Sequence, residues 1–160
     1  MSWESVQDYL KQYGADGRMI AFSVSSATVE LAAQALNVEP ARIAKTLTFR
    51  HQGGCVVVVF AGDARVDNNL FKSFFHEKAA MLTSEQVESL TGHPVGGVCP
   101  FALKPGVPVY LDESLRRFKT VFPAAGTPSS AIELTPDELF RFSGAEGWIC
   151  VSKGWKDTNT

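Results

Sequence analysis

The sequence predicts one α+β or α/β domain with a largely mixed sheet. Amphipathic helical stretches and strand-like runs are interspersed along the whole chain, instead of falling into separate blocks. The apolar pattern switches to period two after Lys45 and then to an unbroken apolar run, C-V-V-V-V-F-A. Cap and turn residues stand at most of the changes between the two patterns.

Trp3, Val6, Tyr9, Leu10 and Tyr13 recur at spacings of three and four, which predicts a first helix capped by Ser2 and stopped at Gly14. A turn over 14–17 leads to a short strand over 20–24. The next helix presents Val29, Ala32, Ala33 and Leu36 on one face. Ser25 or Ser26 is its candidate cap, and Asn37 suits its end. Pro40 opens a helical turn. Leu47 and Phe49 then alternate with Thr46, Thr48 and Arg50, the pattern of a half-buried strand. H-Q-G-G is a hairpin signal, and the run from Cys55 to Ala61 reads as a strand buried on both faces. Asp67 can cap a helix through N-N-L-F-K-S-F-F, and Met81 and Leu82 form a short strand. Thr83 and Gln86 make a capping box for a helix ending near Gly92. Strand-like runs follow at 107–111, 119–122 and 131–134. Thr135, Pro136 and Glu138 supply the cap, first helical position and box partner of the last helix, which Gly144 stops. W-I-C-V-S is a final strand.

A chain of 160 residues suits one domain over 1–160 with a core large enough to stand without staples. The net charge of -2 argues against a protein that coats nucleic acid, although a local basic patch can still dock one RNA end. Cys55, Cys99 and Cys150 are odd in number and widely spaced, unlike a disulfide framework or a zinc site. Reduced thiols and a cytoplasmic location are the simplest expectation. The N-terminus lacks the pattern of a signal peptide, and no apolar run is long enough to span a bilayer. No cofactor, metal or membrane partner is expected.

His51, His76 and His93 are scattered and read as surface or turn residues rather than catalysts. Lys45 stands where a helical turn passes into a strand. It is either an exposed lysine at a strand start or a cation aimed by a rigid strand at a carbonyl, carboxylate or phosphate. Cys99 would need a neighbouring base or helix N-terminus to become a nucleophile, and its sequence neighbours offer none. Gly96 and Gly97 make either a plain turn or a nest of backbone amides for an oxyanion.

The ordered series R-I-A-K-T-L-T-F, F-A-G-D-A-R-V-D, T-G-H-P-V-G-G-V-C-P-F, V-P-V-Y-L-D-E-S-L and A-A-G-T-P-S-S-A-I-E-L-T-P-D-E-L resembles the YbaK/EbsC/ProX-type aminoacyl-tRNA editing family over about residues 28–140. The resemblance implies a mixed, barrel-like sheet surrounded by helices, and hydrolysis of the ester of a small amino acid wrongly attached to tRNA, typically the tRNA for proline, by a free-standing editing domain. It places the family lysine on Lys45 and the family loop on Gly96, Gly97, Val98, Cys99, Pro100 and Phe101. The later Gly-rich turn falls on Ala125, Gly126 and Thr127. Cys99 replaces the loop serine and Ala102 the glycine after it, and Phe22 is nearest to a tyrosine often found near the start. Ala124 and Ala131 stand where cysteine-specific members carry polar residues. On this reading Lys45 and the amides of Gly96, Gly97 and Val98 are catalytic. Phe22, Thr46, Phe49, Cys99, Pro100, Phe101 and Gly126 contact substrate, with Val24 a further pocket wall. The implied partner is the acceptor end of an aminoacyl-tRNA, and an aminoacyl-tRNA synthetase is a second candidate. Arg42, Arg50, Lys72, Lys78, Lys104, Arg116, Arg117 and Lys119 are candidate phosphate contacts.

Overall fold

The computed structural model describes residues 2–23, 28–95 and 98–155. Gly96, Gly97, Val24, Ser25 and Ser26 therefore lie outside the described residues.

Nine strands and five α-helices follow in the order α1 (Ser2–Lys11), β1 (Met19–Ala21), α2 (Val29–Leu36), β2 (Ile43–His51), β3 (Gly54–Ala61), β4 (Arg65–Val66), α3 (Asn68–Phe75), α4 (Ser84–Thr91), β5 (Val109–Asp112), β6 (Phe122–Pro123), β7 (Ser130–Ile132), α5 (Pro136–Ser143), β8 (Gly147–Ile149) and β9 (Ser152–Lys153), among the described residues. The main sheet runs β6-β2-β3-β5-β8. Its central pair, β2 and β3, is antiparallel and carries eight residue pairs from Ala44–Ala61 to His51–Gly54. The other pairings are parallel, so the predicted mixed sheet is present and curls into a half-barrel. Two-stranded sheets β1-β7 and β4-β9 complete the strands.

Strand β3 explains the layering. Val56 through Ala61 are fully buried. Val57, Val59 and Ala61 face a core built with Val6 and Leu10 of α1 and Leu139 and Phe142 of α5. Val56, Val58 and Phe60 face Phe71 and Phe75 of α3. A strand with helices on both sides has no polar face, hence its continuous apolar run. Strand β2 departs from the half-buried expectation for the same reason, since Thr48 is only 3% exposed on the face opposite Phe49.

The caps follow local chemistry. Both capping boxes form, Thr83 with Gln86 and Thr135 with Glu138. Asp67 accepts from the amides of Asn69 and Leu70. Helix α2 is capped by Thr28, whose hydroxyl accepts from Leu31 N, and ends at Asn37 with φ of 57°. Asp112, fully buried at the end of β5, accepts hydrogen bonds from Ser114 N, Val151 N and the Ser152 hydroxyl. This ties the end of β5 to the C-terminal segment, because a buried polar group needs hydrogen-bond partners around it.

Candidate active site

Strand β2 is flanked on its outer edge by two short segments. β6 covers Ile43 and Ala44. Farther along, Arg50 N donates to Ala80 O at 2.8 Å, Leu82 N donates to Thr48 O at 3.4 Å, and Phe49 bridges to Met81. Thr48 and Arg50 thus direct their amides and carbonyls outward. Backbone groups alternate sides along a strand, so Thr46 directs its own the same way. No strand among the described residues covers it there. The result is a notch in the sheet edge, about one residue pair long.

A cavity of about 380 Å³ occupies this notch. Its floor is the edge of β2 from Ile43 to Thr48. Val29, Ala32 and Leu36 of α2 form one wall, Met81 and Val87 another, and Ala124, Ser130 and Ala131 a third. Val95 and Val98 close the remaining side. The volume falls in the range of small-molecule sites, and the lining is largely apolar with a few polar groups, as such sites require.

Lys45 is the cation of this cavity. Its Nζ donates to the carbonyl of Gly62 at 3.4 Å, a long contact that leaves its other protons free. Partial burial lowers its pKa below the usual lysine value, while Asp63 and Glu30 oppose the shift. Gly62 is constrained by close approach. A Cβ there would lie 2.0 Å from Pro40 O and 2.8 Å from Val29 Cγ1. The absence of a side chain lets the 40–42 turn and α2 close over the end of β3, which sets the wall beside Lys45.

Thr46 lines the cavity, and its buried Oγ1 has no hydrogen-bond partner among the described residues. A buried hydroxyl left unpaired costs about 1–3 kcal/mol. Ser130 differs. Its hydroxyl accepts from Ala125 N and Thr127 N and donates to Thr127 O, so it fixes the 125–130 turn and has little left to offer a ligand.

The other sequence candidates fall elsewhere. Val98 is the exception among the loop's described residues, since it lines the cavity. Phe49 is 1% exposed and packs on Phe71 at 4.7 Å, on the α3 side of the sheet. Phe101 is fully buried and packs near Tyr9 of α1. Pro100 is buried beside it. Phe22 is half-buried, donates its amide to Ser129 O and does not line the cavity. Gly126, with φ of 100°, borders a second depression with Gly92, Ala102 and Thr127. Cys99 is fully buried, its thiol pushed up to about 12 chiefly by burial, so a thiolate nucleophile is not available there. Among the described residues no group of three or more His, Cys, Asp and Glu could hold a metal ion, and no helix is long and apolar enough to cross a membrane.

His93 is the main correction. Read as a surface or turn residue, it is fully buried instead. Sequence reading also missed Thr48, Met81, Val87 and Val95 as lining residues, because their placement depends on how distant segments meet at the β2 edge. Of the basic residues, Arg42 pairs with Glu133 at 3.3 Å, Arg117 pairs with Asp63, and Lys104 donates to Ser89 O at 2.7 Å. Arg116 pairs with Glu113 at 3.6 Å. Arg50, Lys72, Lys78 and Lys119 remain exposed.

The mixed-sheet fold is shared with solved structures. A solved structure described as "a putative trans-editing enzyme for prolyl tRNA synthetase" superposes with a TM-score of 0.86 at 31% identity, covering 96% of this chain and 98% of that one. The model of the aminoacyl-tRNA editing domain matches residues 24–142, and the chain belongs to that family. "Uncharacterized protein YwhH" of Bacillus subtilis is 49% identical over 98% of this chain and all of its own length. "Putative Cys-tRNA(Pro)/Cys-tRNA(Cys) deacylase EbsC" of Enterococcus faecalis is 31% identical over 79% of this chain and 78% of its own. A proline–tRNA ligase of Solidesulfovibrio magneticus is 36% identical over 55% of this chain, which spans 15% of that enzyme.

Proposed function

We propose that this protein is a free-standing aminoacyl-tRNA deacylase, one editing domain over residues 1–160. It hydrolyses the ester of a mischarged small amino acid on tRNA, with the tRNA for proline as the first candidate. The observation that carries this reading is a lysine ammonium, half-buried on the wall of a cavity whose floor is an unpaired strand edge.

An aminoacyl ester is already activated, so a protein nucleophile is unnecessary. Water attacks the ester carbonyl, the tetrahedral intermediate carries a developing oxyanion, and collapse expels the ribose hydroxyl. Lys45 stabilises the negative charge of the ester region or of the terminal nucleotide. The amide of Val98, with those of Gly96 and Gly97, is assigned to the oxyanion. Removing one such donor costs roughly 3 kcal/mol in well-studied cases. The outward backbone groups of Thr46, which no strand among the described residues covers, are fitted to hydrogen-bond the aminoacyl group. Discrimination rests on size. Ala124 and Ala131 keep one wall apolar, which favours an alanine- or cysteine-like side chain over a strongly polar one. Arg50, Lys72 and Lys78 supply phosphate contacts, and a synthetase partner would supplement them.

The test is a deacylation panel. Purified protein meets the tRNA for proline charged with alanine, cysteine, serine or proline, beside Lys45→Ala. Rapid loss of one small amino acid, abolished in folded Lys45→Ala, is the expected outcome. Unchanged turnover in that variant removes the role given to Lys45. Binding without turnover on every substrate replaces the enzyme by a module that only binds aminoacyl-tRNA or a synthetase.

A further inference from the structure

Two stretches after α4 supply Val95 and Val98 to the cavity, and their described residues, 92–95 and 98–101, belong to no strand or helix. Their described ties converge on one side chain. His93 Nε2 lies 2.7 Å from the carbonyl oxygen of Phe101. A carbonyl can only accept, so Nε2 carries the proton and Nδ1 is bare. Nδ1 is buried and has no hydrogen-bond partner among the described residues. The backbone amide of His93 donates to Thr91 Oγ1 at 3.1 Å, and that hydroxyl donates to Val87 O at 2.6 Å. Val87 itself lines the cavity. The start of the segment is thus fixed to the last turn of α4, and the imidazole carries that fixation across to Phe101.

We infer that His93 is the positioning residue of the cavity's closing segment, its Nε2–H clamping Phe101 so that Val95 and Val98 stand against the substrate. The inference rests on the proposed deacylase activity for its consequence, but not for its geometry. A purely apolar side chain would fill the same space more cheaply, since the bare Nδ1 is an unpaired polar atom in the interior. Retaining a ring with one satisfied and one unsatisfied nitrogen makes sense where the single bond does something packing cannot. Here it fixes the direction of stretches whose described residues pair with no strand. The titratable group in contact with the ring is the Cys99 thiol, whose Sγ lies 3.7 Å from Nε2 and 3.7 Å from Phe101 O. Tyr9 of α1 is the next, through its influence from Cys99. Neither offers Nδ1 an acceptor. Burial accordingly lowers the His93 pKa, and the neutral, clamping form is the one present at neutral pH.

The test compares His93→Gln with His93→Met. The two side chains are of similar length, and only the glutamine amide can donate to Phe101. Amide hydrogen exchange over residues 92–104 is read alongside deacylation of the mischarged tRNA. In His93→Met, exchange over this segment should rise while that of β2 and β3 stays unchanged, and kcat should fall about tenfold or more, the scale of a small misplacement at a reacting centre. His93→Gln should restore slow exchange and most of kcat. It should also remove any loss of activity that the parent protein shows at acid pH from binding a second ring proton, which would be buried without an acceptor. Equal exchange and equal kcat in the parent protein and His93→Met overturn the inference, as does a His93→Gln protein no better than His93→Met. Should the parent protein turn over no substrate, the deacylase reading fails, and the exchange comparison still decides whether His93 holds the segment.

Discussion

The ammonium of Lys45 rests 3.4 Å from the carbonyl oxygen of Gly62, one strand away from its own backbone. Lys45 pairs with Phe60 across the β2–β3 ladder, so its side chain reaches along β3, past its partner, to the residue that follows that strand. The contact parks the charge at the cavity wall without neutralising it.

A first prediction concerns pH. Burial lowers the Lys45 pKa, so between the folded and unfolded values the unfolded chain binds the extra proton. The charged side chain therefore opposes folding at neutral pH, and this penalty fades as pH rises through the folded pKa. Lys45→Met should leave the thermal midpoint unchanged or raise it while removing activity. In the parent protein, activity assigned to the ammonium should decline at alkaline pH, at a lower pH than an exposed lysine would give. A pH–rate profile on a substrate of known spontaneous hydrolysis checks this, and a flat profile up to the ordinary lysine range contradicts it.

The second prediction follows from the 2.0 Å approach of a Cβ at Gly62 to Pro40 O. The obstacle is backbone, not the far end of a flexible side chain. Gly62→Ala should cost about 1–3 kcal/mol, the range of overpacking, measured by denaturant unfolding. It should also weaken activity, because the 40–42 turn must move from beside Lys45.

Ala102 provides a third. It adopts φ of 53°, a left-handed conformation that L side chains rarely take. The editing family carries glycine after the loop phenylalanine, and the conformation explains why. Ala102→Gly should stabilise the protein by about 1 kcal/mol, since relief of the left-handed strain exceeds the entropy that glycine loses on folding. Calorimetry showing a lower melting point would remove the strain argument.

Glu138 supplies the fourth. Arg18 holds its carboxyl down at about 2, with the Thr135 amide and hydroxyl contributing. The folded pKa lies below the unfolded one, so the stabilisation is complete above about 4.5 and is lost as pH falls toward 2. Glu138→Gln keeps the capping box and loses the ion pair. Its destabilisation should be below about 1 kcal/mol, shrink with salt, and vanish at low pH, as exposed pairs do. Acid unfolding curves of the two proteins should converge near pH 2.

What was legible in the sequence is what depends on near neighbours. The capping boxes at Thr83 and Thr135 are contacts three residues apart, and both form. The buried run of β3 is legible because a strand covered on both faces needs no polar positions. Lys45 was legible as an anomaly, a charge at the head of an apolar strand. Thr48 was read as solvent-facing because alternation tells which residues share a face, not whether a second core covers the other. His93 escaped for a related reason. Its partner is eight residues away, and its burial depends on α1, α4 and the loop meeting. The short strand β6 owes its existence to a parallel pairing with β2 across about half of the chain, and no local pattern encodes that.

The notch at Thr46 also bears on solubility. An unpaired strand edge invites other chains to add to it, the usual route to cross-strand aggregation. Here β6 occupies the edge on one side and residues 80–82 on the other, leaving free the backbone groups of essentially one residue. A foreign strand needs several consecutive pairs to hold, and it cannot find them. The edge left open among the described residues is too short to recruit another polypeptide.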